Sequence, residues 1–140
     1  MHNPDLARDY ILRAGIRLRA LDVFFDAESW ADVVRESQEI VELSLKALLR
    51  SCGIDPPRVH DVSDILLDQR ARLPQALEED LDALVEASRS LRRDRELAFY
   101  GAEDLTPSDF YSKDDADRAR DGARRVVEAV EPHVTRKAEG

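Results

Sequence analysis

A single cysteine, Cys52, leaves the chain without any intramolecular disulfide, a pattern that suits a reducing compartment. Aromatic residues make up only 6% beside a hydrophobic fraction of 43%, which excludes an amyloid-like or aromatic-rich β protein. Glycine (5) and proline (6) are scarce, and charged residues reach 36%. Together these point to a soluble, largely helical domain. No apolar run approaches the ~20 residues that span a bilayer. The N-terminus, MHNPDLARDY, lacks the basic-then-apolar order of a signal peptide, so a cytoplasmic location is the expectation. A basic excess is missing as well. Lys and Arg total 21 against 30 Asp and Glu, a net charge of −9, which argues against a protein that coats DNA generally. What remains is 140 residues, enough for one domain that buries roughly 68% of its unfolded surface without a disulfide or metal.

Apolar residues recur at spacings of three and four throughout. Tyr10, Ile11, Ala14, Leu18, Leu21 and Phe25 form one stripe, behind Pro4 in an acceptable first-turn position. Asp26 and Ser29 offer caps for a second helix starting near Trp30. That helix carries Val33, Val34, Ser37, Val41, Leu45, Leu48 and Leu49, widened by Ile40 and Leu43, and is expected to be the most buried. Gly53 can end it in the left-handed conformation, and Pro56-Pro57 forbid its continuation. Asp61 or Ser63 can cap a short third helix with Ile65, Leu66 and Leu67. Pro74 interrupts the pattern before a longer helix with Leu77, Leu81, Leu84, Val85, Ser88, Leu91 and Ala98 on one face, ending at Gly101. Thr106-Pro107 reads as a short helical turn, and Ser112 with Asp115 as a capping box. The last helix presents Ala116, Ala119, Ala123, Val126, Val127, Val130 and Val134, with a frayed tail after it. No strand period and no internal repeat is visible. The expectation is an all-α, up-and-down antiparallel four-helix bundle with short extra turns, one domain over 1–140 with its core at about 4–132.

Chemistry-bearing residues are few. His2, His60 and His133 stand far apart, and Cys52 is the only thiol, so neither a metal site nor a cofactor is expected. His60-Asp61 hints at the dyad of metal phosphohydrolases, but the further ligands are missing. Asp61 as a helix cap and His60 as a loop-shaping residue is the simpler reading. Cys52 falls at a helix C-terminus, where the dipole disfavours a thiolate. Glu78, Glu79, Asp80 and Asp82 spread around a helix as a solvated face. One stretch breaks the acidic trend: Arg89, Arg92, Arg93 and Arg95. The first three share a helical face, and their guanidinium forks suit phosphate. Salt bridges and the helix dipole explain such a cluster more economically.

Two stretches resemble the HEPN domain family. One runs from Ser37-Gln38-Glu39 through Val41–Leu49 to Gly53-Ile54 and His60-Asp61-Val62; the other is Arg93–Gly101. The likeness covers roughly Pro4 to Pro132. It implies a helical bundle that forms a symmetric homodimer. Many members are metal-independent ribonucleases acting as toxins, or partners of a minimal nucleotidyltransferase. Their motif is Arg, four variable residues, His, one variable residue, Tyr, and two copies face each other across the dimer cleft. Arg steadies the scissile phosphate while His moves a proton.

On this chain Arg93 matches the Arg and Tyr100 the Tyr, but Ala98 occupies the His position. Alanine transfers no proton, and losing a general acid or base removes ~10²–10⁴-fold in rate. A phenol with a pKa of about 10 is a poor substitute. The resemblance therefore implies a binding module more than a nuclease, with Arg89, Arg92, Arg93 and Tyr100 holding a nucleotide, RNA backbone or partner. Tyr100 also inherits the role of a modification acceptor for a nucleotidyltransferase. The alternatives are a ribonuclease using Arg93 and Tyr100, and a purely structural dimerisation module.

Overall fold

A computed structural model describes residues 4–100 and 110–134, with side chains described for 4–91 and 110–134. Every regular element among them is helical. In chain order these are α1 (Pro4–Asp26), α2 (Trp30–Ser51), the short α3 (Ser63–Asp68), 3₁₀ turns at Arg70–Arg72 and Gln75–Asp80, α4 (Leu81–Tyr100) and α5 (Lys113–Val134). Residues 27–29 alone join α1 to α2, and the two helices pack along each other, so they run antiparallel.

The core centres on α2. Val33, Ile40, Leu45, Ala47, Leu48 and Leu49 are fully buried there, against Ile11, Ala14 and Leu21 of α1 and Ala123, Val126 and Val130 of α5. The apolar stripe expected on α2 is almost wholly inside, whereas on α1 Ile11, Ala14 and Leu21 are buried and Tyr10, Leu18 and Phe25 are only partly covered. α5 follows its pattern of alanine and valine closely, and its small side chains let it lie tightly on α1 and α2. α4 packs on α2 and α5 less extensively among the described residues, while α3 covers one side of it.

Helix ends follow local chemistry, with departures from expectation. Ser29 stands at the start of α2 but does not cap its backbone; its hydroxyl donates to Asp32 Oδ2 at 2.6 Å. The turn there is made by Glu28 at φ 59°, with Ser29 N–H donating to Phe24 O at 2.9 Å and Glu28 N–H to Phe25 O at 3.0 Å. After Pro74 the chain first winds as a 3₁₀ turn, so Leu77 is buried ahead of α4 rather than within it. At the end of α2 and the start of α5 expectation and structure agree. Gly53 takes φ 74°, and Ile54 N–H reaches back to Leu49 O at 2.9 Å, closing α2 as a Schellman turn. Ser112 N–H donates to Asp115 Oδ2 at 2.9 Å while Asp115 N–H donates to Ser112 Oγ at 3.2 Å, a reciprocal capping box. Gly101, Thr106-Pro107 and the tail from Thr135 lie outside the described residues.

At the α1–α2 corner, Phe25 meets Trp30 edge-on with centroids 5.0 Å apart. The Arg120 guanidinium of α5 lies 3.7 Å from the Phe25 centroid and reaches Asp22 Oδ1 at 3.3 Å. α5 thereby clamps the end of α1 through both the face of an aromatic ring and a carboxylate.

Candidate functional site

The backbone of α4 stays helical from Leu81 to Tyr100. At about 100° per residue, positions 89, 92 and 93 therefore fall on one side of it, and position 100 stands two turns beyond position 93 on nearly the same line. The side chains of Arg92, Arg93, Arg95, Ala98 and Tyr100 lie outside the described residues. Arg89 is described, and it is exposed.

What holds this part of α4 is the loop before α3. Asp61 Oδ1 accepts the Ser63 N–H at 2.9 Å and the Ser88 hydroxyl at 2.8 Å, and Ser88 Oγ in turn accepts the Val62 N–H at 2.7 Å. Neither cap candidate holds the cap position of α3, which falls to Val62 without a side-chain bond; Asp61, one residue earlier, bonds the first helical N–H instead. Ser88 is fully buried, yet both its donor and its acceptor capacities are used. Burial pushes the Asp61 pKa up, but the bonds from Ser63 and Ser88 and the nearby Arg89 charge outweigh it, so the carboxyl sits below its usual range. Arg89 is thus electrostatically engaged with the loop and also open to solvent.

The same loop is tied to α2. His60 Nδ1 lies 2.7 Å from Glu42 Oε1, and Glu42 Oε2 accepts from Lys46 Nζ at 2.9 Å. The imidazole is about half exposed while the carboxylate is largely covered, with side-chain exposures of 55% and 16%. His60 does shape the loop, as expected, and it does so through an acid that sequence reasoning passed over. Glu42 sits four residues before Lys46 on a helix, and that spacing was its only legible signal.

Other candidates are quieter. Cys52 caps the C-terminus of α2, half-buried, and burial pushes its thiol pKa up, the direction of an inert neutral thiol. Among the described residues no three His, Cys, Asp or Glu side chains converge as metal ligands do. No helix among them is long and apolar enough to cross a membrane.

Among the described residues the arrangement is an exposed Arg89 on α4, beside a loop whose Asp61 is bonded to α4 and whose His60 is bonded to α2. No match was found among curated proteins or among solved structures. A family model described as the HEPN domain matches residues 7–133. That span takes in α2 to α4, all but the outer ends of α1 and α5, the braced loop and the whole Arg89–Tyr100 stretch, and the chain belongs to the HEPN domain family.

Proposed function

We propose that this HEPN domain is a dimeric binding module for a nucleotide or RNA phosphate, working beside a minimal nucleotidyltransferase in a two-component, toxin–antitoxin-like system. In this reading α1, α2, α4 and α5 form an up-and-down antiparallel bundle, and two copies bring their α4 helices together. The observation that carries the reading is the unbroken helix through Arg89, Arg92 and Arg93, braced at Ser88 by the Asp61 loop. A fork of guanidiniums on a fixed element suits phosphate. Ala98 in the motif His position removes the family's proton-transfer group, so the site binds more readily than it cleaves. Tyr100 is then the acceptor for nucleotidyl modification.

Titration with a fluorescent ATP analogue and with a short RNA tests this. Wild-type protein is expected to bind at least one, and Arg93→Ala to lose that binding with an unchanged circular dichroism spectrum. Binding that survives Arg93→Ala overturns the proposal.

One contact favours a second reading, a metal-independent ribonuclease. His60 is held by Glu42 at 2.7 Å, as a general base is held by an orienting carboxylate, and it neighbours Asp61 beside α4. His60 would then supply the proton transfer that Ala98 cannot. RNA cleavage in the presence of chelator, lost in both His60→Gln and Arg93→Ala, would establish it. No cleavage by the wild-type protein leaves the binding module.

A further inference from the structure

A cleft of about 310 Å³ opens between α2, α4 and α5. Ala83 and Ala87 of α4 line one wall, and Ala119 and Gly122 of α5 line the other. It is not the Arg face: position 87 lies about 200° around the helix from position 89. Small side chains usually let helices close on one another, but these leave a gap. A Cβ placed on Gly122 would meet nothing within 4 Å.

Ser37 and Gln38 of α2 also line the cleft, with only 2% and 8% of their surface exposed. Among the described residues neither Ser37 Oγ nor Gln38 Nε2 has a hydrogen-bond partner. An unmet buried polar group costs about 1–3 kcal/mol, so two adjacent ones are unusual for a finished core.

We propose that this cleft binds a small, neutral, mostly apolar molecule carrying one amide-like polar edge. The alanine walls receive the apolar body. The edge offers an acceptor to the Gln38 amide and either role to the Ser37 hydroxyl, and a half-turn of the amide lets Gln38 donate or accept. The head is uncharged because an ion against Ser37 and Gln38 would exchange its hydration for two neutral partners. At the mouth, Asp80 and Glu86 balance Arg118 and Arg125, so neither sign of charge is drawn in.

Amide NMR titration with benzamide and with its charged counterpart benzoate tests this directly. Benzamide is expected to move signals around Ser37, Ala87 and Gly122, with benzoate at least ~10-fold weaker, as loss of a buried hydrogen bond implies. Gly122→Leu fills the cleft and is expected to abolish the shifts. Gly15→Leu makes the same exchange at another open helix position, on α1, and is expected to leave them unchanged. Gln38→Met keeps the bulk but removes the amide, and is expected to weaken benzamide by ~10-fold. The proposal falls if folded wild-type protein ignores benzamide, if Gly122→Leu binds it normally, or if benzoate binds as tightly. It falls too if Gly122→Leu changes the mass in light scattering, which would assign the cleft to an interface between copies.

Discussion

Ser88 shows how much a single hydroxyl can decide. It occupies a position that helical periodicity gives to the core, and it is fully buried. An alanine there would keep the packing but leave the Val62 N–H without its acceptor and strip one bond from Asp61. Ser88→Ala is therefore expected to cost about 1–3 kcal/mol, read from urea denaturation. Asp61 adds a pH signature. Its folded pKa is depressed, so the stability it contributes is complete above the unfolded value of about 3.9 and is lost as pH falls through the folded pKa. The stability gap between wild type and Asp61→Asn is expected to be full at neutral pH and to close in acid. A gap that stayed constant below pH ~3 would show that the Asp61 charge is not what matters.

At the scale of the element, α1 and α2 end in the same kind of turn with different residues in the left-handed position. Gly53 adopts φ 74° freely, whereas Glu28 adopts φ 59° against the clash of its own Cβ. Opposite responses follow. Gly53→Ala is expected to lower stability by about 1 kcal/mol, and Glu28→Gly to leave it unchanged or raise it by up to ~1 kcal/mol. Thermal melts of the two variants check this, and equal losses in both would refute it. At the start of α5, the reciprocal Ser112–Asp115 bonds should make Asp115→Ala cost about 1 kcal/mol. The Gly53 turn and the capping box could be read from sequence because each depends on residues within a few positions. The Glu28 turn could not. Nothing in glutamate signals positive φ, and the short path from α1 to α2 imposes it.

For the whole molecule, the proposed dimer is the first quantity to measure. Light scattering is expected to return twice the chain mass of 15.9 kDa. A monomer would remove the second α4 from the proposed phosphate site. The overall charge of −9 fits the proposed arrangement: an acidic exterior repels nucleic acid broadly, while the proposed basic face would hold one phosphate-bearing ligand in a defined place. Binding should then weaken with salt only modestly, because few phosphates are neutralised.

Sequence by itself determined the helices and most of the core, because spacings of three and four assign each residue to a face before any partner is known. It also determined the family through stretches that keep their residue types and spacing, and it marked Arg89, Arg92, Arg93, Tyr100 and Ala98 as the positions on which the proposed site rests. Only the tertiary structure decided which polar groups meet. The Asp61–Ser88 bond joins residues 27 apart and the His60–Glu42 bond residues 18 apart, distances at which periodicity carries no information. The cleft over Ser37 and Gln38 belongs to the same class. Each residue's face is written in its own helix, but whether two helices close or leave a gap depends on the volumes of side chains from three elements at once.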